Sequence, residues 1–150
     1  MYYQINYNNN AIEVIVKGLW PFKKKYSVPI DSIKVIYATN TEVGFCLDIF
    51  TKDNRIELTE PRYGNCFVHV NNWDELISIL KVNIPDFNWN NFDHADEVWE
   101  IPFLCWHSEK RVQDIEVVEV RQGLVVVNKD RSEYVFEDYY VMAKASKYIS

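Results

Sequence analysis

Short strand-like segments, spaced at roughly 8–12 residues and separated by turn residues, limit the fold more than any other feature. The first two, Tyr2–Tyr7 and Ile12–Lys17, flank the tract Asn8–Asn10. Asparagine tolerates the left-handed backbone of a tight turn, so we predict an opening hairpin. Similar patterns predict strands at 33–37, 45–50, 55–59, 66–70, 98–106, 112–121, 124–128 and 132–136. Because helices rarely intervene, these strands should pair antiparallel.

One segment has helical spacing instead. Its apolar side chains fall at i, i+3, i+4 and i+7: Trp73, Leu76, Ile77 and Leu80. Asn72 suits the N-cap, and Glu75 three residues later would complete a capping box. Pro85 should end the helix, which we place at 72–82. A weaker periodicity favours a C-terminal helix over 137–148.

These elements predict an α+β fold in a single domain over residues 1–150. A mainly antiparallel sheet or partly open barrel would be capped by the amphipathic helix at 72–82. The sequence contains no internal repeat and no linker-like change of composition. A chain of 150 residues is long enough for one sizeable core.

The negative charge lies in one third of the chain. The formal net charge is -6, but residues 86–119 hold nine acids and two bases, which is -7. Aromatic residues are interleaved with these acids, most densely in 86–97, which we predict to be a loop with a short helical turn. This pattern has two interpretations. The carboxylates could steer a basic partner while exposed rings anchor it, or the rings could belong to the core while the acids face water. The acidic balance excludes nucleic-acid binding through a basic stripe.

The sequence gives little support to metal binding, phosphate binding or nucleophilic catalysis. Cys66 with His69, Cys105 with His107, and the run 93–97 contain metal-binding residue types, yet none has the paired spacing of a zinc site or calcium loop. The sequence contains neither a phosphate-binding glycine loop nor a nucleophile elbow. We therefore predict no metal, no cofactor and no enzymatic activity.

The basic tract Lys23–Lys25 has two interpretations. It could contact a lipid headgroup or phosphate at a loop tip. It could also be a solvated hairpin turn whose lysines keep an exposed strand edge from pairing. Three lysines are too few to hold a protein stably on a membrane, so we predict no stable membrane association.

The N-terminal sequence, the short apolar runs and the cysteine count predict a cytoplasmic protein. The N-terminus lacks the basic and apolar regions of a secretory signal, and the apolar runs reach only four or five residues. Three widely spaced cysteines are an odd number and a poor disulfide framework, which favours a reducing compartment.

Two resemblances add to this interpretation. Segments 44–58, 73–80, 84–87 and 103–106 resemble small bacterial proteins with a pleckstrin-homology-like sheet and capping helix, over about residues 30–107. The whole profile, which is small, acidic, aromatic-rich and without catalytic motifs, is similar to immunity proteins of bacterial contact-dependent growth inhibition and other polymorphic toxin systems. That resemblance implies an antitoxin-like inhibitor of a cognate toxin domain, a basic nuclease.

We accordingly predict a partner-binding surface centred on the segment after the helix. Its residues are Asp86, Trp89, Asp93, Asp96, Glu97 and Glu100. The acids would meet Lys or Arg of the toxin, and Trp89 would insert as an anchor. The alternative function is a pleckstrin-homology-like module that binds a lipid headgroup, or a peptide at a sheet edge.

Overall fold

The computed structural model describes residues 1–18, 24–62, 68–121, 124–129 and 132–136. It confirms an α+β fold built mainly from antiparallel strands. In chain order the elements are β1 (Tyr2–Asn8), β2 (Ala11–Lys17), β3 (Lys24–Pro29), β4 (Ile33–Thr41), β5 (Gly44–Thr51), β6 (Arg55–Pro61), α1 (Trp73–Asn83), α2 (Trp89–Glu97), β7 (Phe103–His107), β8 (Ile115–Arg121), β9 (Leu124–Lys129) and β10 (Ser132–Phe136). Within the described ranges, neither helix is long and apolar enough to cross a membrane.

The first sheet has the order β1-β2-β3 and begins with the predicted hairpin. Asn8 pairs with Ala11, so the loop contains only two residues. Asn9 and Asn10 have φ angles of 52° and 58°, the left-handed region that a two-residue hairpin loop requires. The asparagine tract therefore fixes the register of β1 on β2.

The second sheet has the order β6-β5-β4-β7 and supplies the other half of the core. Alternate residues of β5 (Phe45, Leu47 and Ile49) are fully buried, as the period of a strand requires. They belong to one apolar cluster with Ile12 and Val14 of the first sheet. The core is thus contributed by the facing sides of two sheets.

Helix α1 confirms the predicted helix and ends at Asn83, shortly before Pro85. Leu76, Ile79 and Leu80 are its buried residues. The predicted capping box is wrong, because the Asn72 side chain makes no capping hydrogen bond. Its amide instead pairs with Ile5 of β1, accepting from the backbone N–H and donating to the carbonyl, each at 2.8 Å.

The residues just before α1 connect the two sheets. The Tyr3 N–H donates to the His69 carbonyl at 2.7 Å, and the Asn71 N–H donates to the Tyr3 carbonyl at 2.8 Å. On the other side, the Val70 N–H donates to the Thr59 carbonyl of β6 at 2.8 Å. This segment therefore lies like a short strand between β1 and β6.

A third sheet has the order β10-β9-β8 and confirms the two strand pairs predicted near the C-terminus. The helix predicted at 137–148 lies outside the described residues, as do the first two residues of the segment predicted at 66–70, in which Val70 forms an isolated bridge with Tyr3. The strand predicted from Val98 begins only at Phe103. Pro102 lacks the N–H that a strand ladder needs, which accounts for the later start.

One ion pair joins β5 and β6 of the second sheet. Asp48 of β5 is 3% exposed, and its Oδ1 receives the Arg55 Nε at 2.8 Å and the Nη2 at 2.7 Å. Burial raises the pKa of Asp48 to about 6, in spite of the guanidinium. The free-energy cost of burying Asp48 in the sheet therefore depends on pH, because only the ionised form opposes burial.

The asparagine turn generates a first prediction. Alanine at position 9 would have to adopt the positive φ angle without the local side-chain hydrogen bonding that makes this angle acceptable for asparagine, at a cost of about 1 kcal/mol. Asn9→Ala should lower the free energy of unfolding by that amount, whereas Asn9→Gly should leave it within about 0.5 kcal/mol. Urea denaturation of the two variants checks this; equal losses would contradict a strained turn.

Asp48 generates a second prediction. Its folded-state pKa lies above the ordinary value of 3.8, so ionisation opposes folding. Its contribution to stability is present below pH 4 and is lost as the pH rises through about 6. Asp48→Asn should therefore match the parent protein at low pH and exceed its free energy of unfolding by about 3 kcal/mol at pH 7. A difference independent of pH in urea titrations would refute the raised pKa.

Candidate protein-interaction surface

The acidic aromatic segment 86–97 is mostly helical, so the prediction of a loop with a short helical turn is wrong. Helix α2 runs from Trp89 to Glu97, and the Asn88 side chain caps it by accepting the Asn91 N–H at 2.9 Å. The polar composition of α2 hides its helical periodicity in the sequence, because its fully buried positions are Asn91 and Ala95. Apolar contacts of Trp89, Phe92 and Ala95 with the core, spaced three residues apart, also hold this helix.

Two asparagine amides anchor α2 to the rest of the domain. The Asn88 Nδ2 donates to the Val112 carbonyl at 3.1 Å and to Asp114 Oδ1 at 2.8 Å. The Asn91 Nδ2 donates to the Leu104 and Gln113 carbonyls at 3.0 and 2.9 Å. The acceptors lie on β7 and on the segment 112–114 after it, so these bonds hold α2 at one position on β7.

Trp89 lies in an aromatic cluster and is half-buried. Its ring centroid is 4.3 Å from that of Phe87 and 5.0 Å from that of Phe92, and the Lys81 ammonium lies 5.3 Å from it. Phe92 in turn contacts the buried Phe45 ring at 4.8 Å. Much of the Trp89 ring is thus used for packing, which leaves a smaller area for a partner.

Most of the predicted acids reach solvent. Asp86, Asp93, Asp96 and Glu97 are exposed, and Glu100 is half-buried. Asp93, Asp96 and Glu97 are spaced i, i+3 and i+4, which places them on one face of α2. Asp86 lies before the N-cap, at the opposite end of the helix, beside Arg111 at a shallow depression. The structure therefore brings three of the acids together and leaves Asp86 apart.

One of these acids also has a structural contact. Arg62, just after β6, bonds to both Asp96 and Glu60, the latter at 3.0 Å, and its guanidinium lies 4.8 Å from the Phe45 ring centroid. This pairing ties α2 to β6 and neutralises part of the local charge. The charge that remains for a partner is therefore mainly that of Asp93, Glu97 and Glu100.

The exposed aromatic side chain of this region is Trp99, which the sequence did not single out. It is 51% exposed, directly after α2. Next to it, Glu100 has a φ of 58°, and its N–H donates to the Asn40 carbonyl at 2.7 Å. The Asn40 Nδ2 donates to the Asp96 carbonyl at 3.0 Å. Asn40 thus fixes the turn that presents Trp99 to solvent.

We name these residues the α2 surface: Asp93, Asp96, Glu97, Trp99 and Glu100. A half-exposed indole next to a helix that carries carboxylates and is held by buried amides can insert into a partner while the acids meet its basic groups. The sequence does not reveal this surface, because it depends on the turn at Glu100, whose positive φ angle is visible only in the structure.

The described residues of the candidate metal and phosphate sites do not form a binding geometry. Within the described ranges, no group of three or more His, Cys, Asp or Glu converges as a metal site would require. Burial raises the pKa of Cys105, and Cys66 lies outside the described residues. Of the basic tract, Lys23 also lies outside them, and the Lys25 ammonium is bound to Glu13 at 2.7 Å.

Comparisons with protein-family models, curated proteins and solved structures give no match.

The asparagine anchors generate a third prediction. Asn91→Ala would leave the Leu104 and Gln113 carbonyls without their donor and should lower the free energy of unfolding by about 2 kcal/mol or more. Asn90→Ala is the matched control: it is exposed, on the same helix, and bonds only Asp114 among described residues, at 3.2 Å. That control should cost about 0.5 kcal/mol or less in urea denaturation. Equal costs would contradict the anchoring role.

Proposed function

We propose that this protein is an inhibitor-type binding protein, an immunity protein that neutralises a cognate toxin nuclease domain in the cytoplasm. The supporting observation is the α2 surface, where exposed carboxylates lie on a fixed helix and the exposed Trp99 ring follows directly after it. Inhibition would require binding alone, so the proposal assigns no catalytic residue, no cofactor and no metal. The partner would be the toxin, with no direct contact to nucleic acid.

Charge supports a basic partner. A nuclease binds phosphates through Lys and Arg, and a carboxylate-rich surface offers those groups a competing set of anions. Asp93 and Glu97 are exposed and lie one helical turn apart, so both can face the same cleft. Such charges would raise the association rate and align the two proteins before close contact.

Rigidity supports tight binding. The amides of Asn40, Asn88 and Asn91 fix both ends of α2 and the turn after it. A surface already held in one conformation loses little entropy when it binds. Trp99 would then supply the desolvated anchor, a role in which tryptophan is enriched at interfaces.

The fourth prediction tests this surface. We expect association with the toxin, sought first as the product of the adjacent gene, to be nanomolar or tighter, with an on-rate that falls steeply with salt. Asp93→Ala, Asp96→Ala and Glu97→Ala together should slow association and flatten that salt dependence. Trp99→Ala should raise the dissociation constant by about thirtyfold, mainly through the off-rate.

Surface plasmon resonance at several salt concentrations separates these effects. Asp74→Ala with Glu75→Ala is the matched control, because both acids are exposed in the first turn of α1. Since Asp96 also contacts Arg62, a second set, Asp93→Asn with Glu97→Gln, tests charge without that contact. Unchanged binding in both acidic variants would show that the α2 surface is not the interface.

A further inference from the structure

A cleft of about 700 Å³ opens between the first and second sheets and shares no residue with the α2 surface. Its apolar lining comes from four strands and consists of Tyr3, Tyr26, Val28, Ile49 and Ile56. In the ladders, Tyr26 and Val28 stand opposite Val14 and Ile12, and Ile56 stands opposite Ile49. Residues directly opposite in a ladder share one face of the sheet, and Val14, Ile12 and Ile49 are fully buried. The cleft is therefore lined by the core-facing sides of both sheets.

The exposure of these side chains rises from the floor of the cleft to its mouth. Ile49 is closed to solvent, and Val28 is buried. Ile56 and Tyr3 are half-buried and pack against the core cluster. Tyr26 is 46% exposed, although it lies on the core-facing side of β3. At this end the two sheets therefore leave apolar core surface open to a ligand.

The two tyrosines give the cleft polar groups as well as rings. Burial raises the pKa of Tyr3, and the neighbouring Tyr26 and Glu57 raise it further. The Tyr3 hydroxyl is therefore neutral at pH values near neutrality, so it can both donate and accept a hydrogen bond. A tyrosine also offers an apolar ring face or edge to a neighbouring ring. The lining thus suits a ligand that is mostly apolar and carries one polar group.

Two hydroxyls at the rim of the cleft are already bonded within the protein. The Thr51 Oγ1 donates to the Asn54 carbonyl at 3.3 Å and accepts the Asn54 N–H at 3.1 Å, which closes the β5–β6 turn. The Ser32 Oγ donates to the Pro29 carbonyl at 2.7 Å. These two groups are therefore less available to a ligand than the tyrosine hydroxyls.

The charges around the cleft balance. The charged lining residues are two cations and two anions: Lys52, Arg55, Asp53 and Glu57. Arg55 is bonded to Asp48 and Glu57, and Lys52 and Asp53 are adjacent in the exposed turn, so their charges oppose each other. A charged ligand would lose hydration on entering the cleft without meeting an excess of opposite charge. The lining therefore favours an uncharged ligand.

We propose that this cleft binds a small, uncharged aromatic molecule that carries one hydroxyl or carbonyl group. Its rings would lie on Val28, Ile49 and Ile56 beside the Tyr26 ring, and its polar group would bond to a tyrosine hydroxyl. Planar rings suit the site better than an aliphatic chain, because they also make ring contacts with tyrosine. The volume lies within the range of roughly 300–1,000 Å³ that ligand sites occupy. This proposal is independent of the toxin-binding function.

The fifth prediction compares three probes with one carbon skeleton in ¹H–¹⁵N NMR titrations: β-naphthol, its saturated analogue decahydro-β-naphthol, and β-naphthoate. β-Naphthol should shift the amides of Tyr26, Val28 and Ile56 with a dissociation constant of about 1 mM or below. β-Naphthoate should bind about tenfold more weakly, because its carboxylate would be desolvated without a cation to meet it. Decahydro-β-naphthol should bind about threefold more weakly, because its rings are not planar and lose the tyrosine contacts. This comparison needs no variant of the protein.

Two variants locate the site. Tyr26→Ala removes a half-exposed ring at the mouth of the cleft and should weaken β-naphthol binding about tenfold. Tyr2→Ala is the matched control and should bind like the parent, because Tyr2 is next to Tyr3 in β1 and so lies on the opposite face. Equal binding by the two variants, or amide shifts confined to the α2 surface, would overturn the proposal. Equal binding of either analogue would overturn the proposed class of ligand.

Discussion

Hydrogen bonds from asparagine amides are the interaction on which the arrangement of helices and sheets depends. Asn72 bonds to the backbone of Ile5, Asn91 bonds to two carbonyls, and Asn88 caps α2 while holding the segment after β7. These amides give partners to backbone groups at strand edges and in loops, where a buried group left without a partner costs about 1–3 kcal/mol. An amide has both a donor and an acceptor, so it can substitute for a missing strand. The abundance of asparagine is therefore structural as well as a source of turns.

Much of the fold could be predicted from local patterns. The hairpin at Asn9 and Asn10, the strand pairs near the C-terminus and helix α1 all follow from spacing and turn residues, because these effects act over a few positions. Helix α2 could not be predicted, since its buried face includes Asn91, whose partners are 13 and 22 residues away. The role of Asn72 was misjudged for the same reason: its partner, Ile5, is 67 positions distant.

The sequence indicates where the exposed acids lie but does not separate an exposed tryptophan from a packed one. Acidic density along the sequence located α2, because exposed carboxylates need no tertiary partner. Trp89 and Trp99 are not distinguishable by sequence, yet one ring packs on Phe87 and the other is half-exposed. What separates them is the turn at Glu100, held by Asn40 from β4. Long-range hydrogen bonds therefore decide which aromatic side chain faces solvent.

The pairing of Asn72 with Ile5 has a consequence for how the molecule opens. Since this amide joins the first residues of α1 to β1, and His69 and Asn71 bond to Tyr3 beside it, α1 cannot separate from the N-terminal hairpin without breaking all of these bonds. The hairpin and the helix, distant in sequence, then form one cooperative unit of unfolding. Partial unfolding that frees the helix from the core would therefore release the N-terminal hairpin with it.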